Sequence, residues 1–450
     1  MSAYQSLSRF GDERLDRRLA QIISQMVARG CVCLRQLAEG ARHDIVGFGR
    51  FLSNERVTVD ALIEGWGEAT SRACEGRHIL AIQDTSEINF TTTAKHRRGL
   101  GEIGKGNGCG LLLHPMLAVD AESGNLLGLV AGRIWTRTGR IEVARAARLV
   151  KDKEIECWLS TGEAAKSVLA AATMVTEVSD RESDFYAKWA SLPEPGFHIL
   201  TRARHDRPVV GGGKLSTVAK LPAGEAVIEL RAQPGRPART ARLVASFAQV
   251  EVKRPKNTIE KGLAKTVAVS VVEVAEVDAE PGVKPIFWRL LTTHPVEDAA
   301  MAWQVIGWYR QRWIIEQFFR TLKLQGLRLE DSQLESADRL LKLSAMAASA
   351  ACEIMQLVQA RDGKSGEDAR IVFTPPEIET LHALVRKLEG KTALQKNPHR
   401  PESLAWAAWV IAKLGGWDGY PRSKPPGPIT FRNGLEHFKS IAQGWTLRDV

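Results

Sequence analysis

Tyr309, Arg312, Glu316 and Lys323 form the pattern Tyr-x-x-Arg-x-x-x-Glu-x-x-x-x-x-x-Lys, within a stretch, Gln304 to Leu324, whose only Gly or Pro is Gly307. Its composition predicts a helix. At about 100° per residue the four side chains fall in a sector of about 60° on one face. A carboxylate flanked by a phenol, a guanidinium and an ammonium is poorly explained as packing. It suits a metal ligand surrounded by groups that hold phosphate oxygens. The same segment carries Trp308, Trp313, Phe318 and Phe319, with Trp303 just before it, so its remaining surface is expected to be buried and the charged stripe to face a site.

Such a site needs more acidic ligands. His78 to Gln83 is a short apolar run that ends in Asp84, and Thr173 to Ser179 is a second that ends in Asp180. An Asp at the end of a buried strand lies where α/β sheets place functional groups, at the carboxyl edge. Read singly, Asp84 is equally a strand-end cap and Asp180 a helix cap. Read together, Asp84, Asp180 and Glu316 make an all-oxygen set suited to Mg²⁺, with Mn²⁺ as a substitute, rather than to zinc. Two ions about 4 Å apart would hold the attacking and leaving oxygens of an in-line phosphoryl transfer. Glu177, Glu182 and Asp184 are competing carboxylates nearby.

These motifs resemble the DDE cut-and-paste transposases of the insertion-sequence-four family. Asp180-Arg181-Glu182-Ser183-Asp184 is similar to that family's Asp-Arg-Glu-x-Asp box. Ile82-Gln83-Asp84-Thr85-Ser86 resembles its first-aspartate strand, with Gln83 where a relative has an acid. Asp84 and Asp180 are 96 positions apart, and Asp180 and Glu316 are 136 apart, the second gap long enough for the family's inserted β domain. The resemblance implies an RNase H-like catalytic core, Mg²⁺ and double-stranded DNA: transposon-end inverted repeats and target DNA, joined in a homodimeric synaptic complex. It implies cleavage through a DNA hairpin, with Trp288 stacking on a flipped base. Arg202 and Arg204 match residues that contact the cleaved end, and Arg14 and Arg18 match basic positions of the end-binding segment. Tyr309, Arg312 and Lys323 would contact scissile-strand phosphates. A C-terminal stripe, Leu404, Trp406, Trp409 and Leu414, could make the dimer contact or be internal core.

Composition agrees with a polyanionic partner. The 450-residue chain has a net charge of +10, 44% hydrophobic and 25% charged residues, ordinary for a globular protein but basic. Between Arg202 and Lys265 there are fourteen Lys and Arg against five Asp and Glu, which reads as a phosphate-facing wall or a solvated face. No run approaches a membrane span, and the N-terminus lacks the apolar core of a signal peptide, so a cytoplasmic, nucleoid-associated protein without membrane contact is expected. The six cysteines have no framework spacing, so reduced, mostly buried thiols are expected.

The chain divides into a helical DNA-end-binding domain (1–70), an RNase H-like catalytic domain (71–365) with a β-rich insertion at about 205–285, and a helical C-terminal dimerisation domain (366–450). Within the core, Ile79–Asp84, Leu111–Val119 and Leu126–Trp135 read as an antiparallel meander. A helix and a parallel strand to Ser179 follow, placing Asp84 and Asp180 on neighbouring strands. Gly101 to Gly110 reads as a mobile loop beside the site, and Pro421 to Pro428 as irregular. The reading is a metal-dependent cut-and-paste transposase. The alternatives are an RNase H-like host nuclease and a non-catalytic, transposase-derived DNA-binding protein.

Overall fold

The computed structural model describes residues 9–90, 98–104, 108–137, 150, 153–230, 238–279, 281–363, 365–420 and 425–447. Part of the Gly101–Gly110 loop (105–107), part of the basic stretch (231–237) and half of the Pro421–Pro428 segment (421–424) lie outside the described residues.

The N-terminal segment forms four helices, α1 (Glu13–Arg29), α2 (Leu34–Leu37), α3 (Arg42–Leu52) and α4 (Val59–Ala73). Asp12 caps α1 by accepting the Arg14 amide, and Gly30 closes it in the left-handed region, the usual chemistry of the two ends. The strands β1 (His78–Gln83), β2 (Ser86–Asn89), β3 (Gly101–Ile103), β4 (Gly108–Asp120) and β5 (Leu126–Trp135) follow. The long β4 is antiparallel to the other four. The expected meander is present with two extra short strands, and the glycine-rich segment read as a loop instead pairs its ends, Gly101 with Gly110.

Next come α5 (Glu156–Val168), β6 (Met174–Ser179), α6 (Tyr186–Ser191) and β7 (Phe197–Arg202). β6 lies parallel to both β1 and β7, because each connection carries a helix back across the sheet. The order β5–β4–β1–β6–β7 is compatible with an RNase H-like core.

The segment expected as a β-rich insertion forms β8 (Leu221–Leu230), β9 (Arg239–Lys253) and β10 (Thr266–Val277), before β11 (Phe287–Thr292). It is inserted in sequence but not separate in space. β11 pairs with β7 on one side and β10 on the other, so one sheet of eleven strands runs through both parts. Alternating apolar residues mark the strands; the backbone groups of β7's free edge decide the partner.

Two apolar layers flank the sheet. Alternation sends Leu80, Ile82, Val178 and Leu200 into a core shared with the long helices, while Ile79, Ala81, Val175 and Ile199 pack with α5 and α6. On the first face lie α7 (Ala299–Gln311), α8 (Trp313–Arg320) and α9 (Ala337–Ala360). α9 corrects the reading that no segment is long enough to span a membrane: by length and composition it passes, but 78% of its apolar window is buried inside the protein. The C-terminal helices α10 (Pro375–Leu388), α11 (Leu404–Leu414) and α12 (Pro428–Leu447) join the same core as α1 and α9. Leu404, Trp406 and Trp409 are buried within the chain, which removes that stripe as a dimer surface. None of the six cysteines is in a disulfide; Cys74, Cys157 and Cys352 are buried, and Cys31, Cys33 and Cys109 partly so.

Candidate active site

The site begins with strand register. Ile82 of β1 pairs with Val178 of β6, and Ser179 of β6 with Thr201 of β7. One or two residues further, Asp84, Asp180 and Arg202 stand side by side at the carboxyl ends of three parallel strands. Their parity sends them to the face covered by α7 and α8.

Those two helices are almost the single predicted one, interrupted at Arg312, whose backbone stays right-handed helical. Tyr309, Arg312 and Glu316 of the charged stripe therefore stay together. Arg312 Nη1 donates to Asp84 Oδ2 at 3.2 Å, and Nη2 donates to Glu316 Oε1 at 2.5 Å, so one guanidinium links the first strand to the helix. The Asp84 side chain is 19% exposed and that of Glu316 36%. Burial, and next the charge of Asp180, push the Asp84 carboxyl up to about 7, although Arg312 opposes them. Asp180 also caps the turn Arg181–Ser183, accepting the Glu182 amide at 2.7 Å, as its reading as a cap expects. Tyr309 is buried, its ring edge-on to Trp288 at 5.4 Å, and burial raises its phenol while Arg312 and Arg202 pull it down.

An open cleft of about 440 Å³ lies beside these groups, lined by Asp180, Arg202, Trp288, Tyr309 and Arg312. Three further lining residues, Arg181, Lys284 and Phe287, were not singled out from the sequence. Arg181 follows Asp180 directly, and Phe287 begins the Trp288 strand, so their neighbours were the available signal. Arg202 Nη2 donates to the Phe287 carbonyl at 2.7 Å, and Arg204 is exposed next to it.

Not every expected residue meets the acids. Lys323 sits in a π-helical turn, Thr321–Gln325, and donates to the Glu87 carbonyl at 2.5 Å. Trp313, expected to be buried, is 44% exposed. Arg18 is held by Asp44 at 2.8 Å and lies over the Phe48 ring, tying α1 to α3, whereas Arg14 is exposed and folded back onto Asp12. Of the basic stretch, Arg207, Lys220, Arg239 and Arg242 are paired with acids of the same chain, so less of its charge is free than composition implies. Asp184 is a structural clamp, accepting from the Arg204 and His205 amides and from Arg207. Glu177 is fully buried, 2.6 Å from Lys188 Nζ.

The donor chemistry fits a hard divalent cation, because the three acids offer only oxygen and Asp84 stands where negative charge is under-compensated. As they stand, no three His, Cys, Asp or Glu side chains among the described residues converge on one ion position; Arg312 lies between Asp84 and Glu316 instead.

Fold and site together define a class: a mixed α/β protein with carboxylates and cationic groups gathered at the carboxyl edge of its parallel strands. Residues 189–352 match the family described as the transposase DDE domain. The matched segment contains Trp288, Tyr309, Arg312, Glu316 and Lys323, and Asp84 and Asp180 precede it. The match supports a DDE transposase, a DNA-acting enzyme class that uses divalent metal ions.

Proposed function

We propose that the protein is a Mg²⁺-dependent cut-and-paste transposase of the insertion-sequence-four type. It would bind the ends of its own mobile element, nick them, excise through a hairpin and join the 3′-hydroxyls to target DNA within a homodimeric synapse. The observation that carries this reading is the register of Asp84 and Asp180 on adjacent strands, with Arg312 joining Asp84 to Glu316 across the facing helix. The match of residues 189–352 favours it over a host nuclease.

Asp84, Asp180 and Glu316 would hold the cation, which when bound lowers the pKa of water and neutralises phosphate charge. Arg312 and Tyr309 are close enough to that point to hold phosphate oxygens of the cut strand. A guanidinium suits this because its fork matches two oxygens at once. Arg202 and the exposed Arg204 extend the cationic surface toward the cleaved end, and Lys323 would join them once released from the Glu87 carbonyl. Trp288, half-buried with its ring on the cleft, offers a stacking face for an extruded base. Arg14 is an accessible basic residue of α1 for end DNA, with Arg18 in support.

Glu316→Ala should leave end binding nearly intact and abolish Mg²⁺-dependent cleavage. Cleavage at the wild-type rate would remove Glu316 from the mechanism. Products joined to target DNA, rather than free nicked ends, separate transposase from nuclease.

A further inference from the structure

Behind the sheet, on the face opposite the site, lies a polar network that the reading above does not use. Gln83, His114, Glu177, Ser179, Ser183, Lys188 and Thr201 are each 0% exposed. His114 bridges Thr85 Oγ1 at 2.7 Å and Gln83 Oε1 at 2.8 Å. Gln83 Nε2 donates to Glu177 Oε1 at 2.8 Å, and the other Glu177 oxygen lies 2.6 Å from Lys188 Nζ. Lys188 donates to Ser179 Oγ at 2.8 Å and to Ser183 Oγ, and Ser179 meets Thr201 at 3.1 Å.

The attachment points are specific. Gln83 and Thr85 flank Asp84, Ser179 precedes Asp180 while Ser183 ends the turn that Asp180 caps, and Thr201 precedes Arg202. Because side chains alternate across a strand, a residue beside an aspartate points away from the site and can be gripped from behind. Burying an ion pair carries a large desolvation cost, and apolar side chains of the same volume would fill the space without it. Stability alone does not account for the pair.

We propose that this network, centred on Glu177 and Lys188, is a brace that fixes the spacing of Asp84 and Asp180 for cation binding, an inference that rests on reading those aspartates as cation ligands. Its members are positioning residues: they act through the strand ends and touch neither cation nor DNA.

The test is Mn²⁺ binding to the full chain, followed by water-proton relaxation without DNA, alongside Mg²⁺-dependent cleavage. In the Glu177→Gln/Lys188→Met double variant, which keeps volume and removes both charges, Mn²⁺ affinity should fall about 10- to 100-fold. The Mg²⁺ concentration for half-maximal cleavage should rise in step, with the rate largely recovered at high Mg²⁺ and end binding unchanged. A folded double variant with wild-type Mn²⁺ affinity overturns the brace. If the double variant does not fold, Ser183→Ala and Thr201→Val, which each delete one network contact, carry the same test: weakened Mn²⁺ binding supports the brace and wild-type affinity in both overturns it. Mn²⁺ binding that Asp84→Asn leaves intact would instead sink the cation reading itself, and the brace with it.

Discussion

Arg312 reaches Asp84 and Glu316 at once, joining a strand end to the helix that faces it. A desolvated Asp84 beside Asp180 needs a nearby positive charge, and Arg312 supplies it. Arg312→Ala should therefore reduce single-turnover cleavage by about 10²- to 10³-fold, the range for losing a positioned charge stabiliser. Arg312→Lys should recover only part of the rate, since an ammonium does not reproduce the planar fork of the guanidinium; full recovery would show that charge alone matters. Trp288→Ala should slow hairpin formation more than first nicking, and equal slowing would assign the ring to packing against Tyr309. At this scale the sequence was informative where residue type and spacing were both unusual, as in Tyr309, Arg312 and Glu316. It was silent on Lys188, which sits on a short helix and reads as a surface lysine until β6 brings Glu177 against it.

Among elements, the parallel strands carry acids at one end and histidines at the other. His78 and His294 share Thr176 Oγ1 at 2.8 and 2.7 Å, and His198 stacks on His294 at 3.9 Å. Burial pulls His78 down to about 4 and His294 to about 3, and lowers His198, with only Asp120 pulling His78 the other way. In the unfolded chain these imidazoles take up protons below about pH 6.5, while in the fold they stay neutral. Stability should be lost as pH falls from about 6.5 toward 4, on the order of a few kcal/mol in total. Thermal melts across that range check this, and a His78→Gln/His294→Gln variant with undiminished acid sensitivity would refute it. The strands themselves were readable from alternation; the merger of β8–β10 with the core was not, because pairing across β7 and β11 is decided by residues about ninety positions apart.

At the scale of the whole molecule, the first and last helices meet. α12 packs on α1, α9 and α11, and the α11–α12 approach is backbone-close: a Cβ on Gly434 would stand 1.8 Å from the Ile411 carbonyl. Gly434→Ala should accordingly lower the melting temperature by well over the effect of an ordinary surface change, whose cost is within about 0.5 kcal/mol. It should also weaken end-DNA binding through α1, and a Tm within error of wild type would contradict the packing. Sequence patterning found both helical ends but divided them into separate domains, since no local signal records that residues 13–29 and 428–447 share one core.

α9 has a further consequence during synthesis. Residues 337–360 are covered by α1, α4 and β5, which precede them in the chain, and by α11 and α12, which follow, so the apolar side that the late helices cover is bare until those are made. Chains that stop short of α11 should thus be captured by chaperones through that one uncovered side.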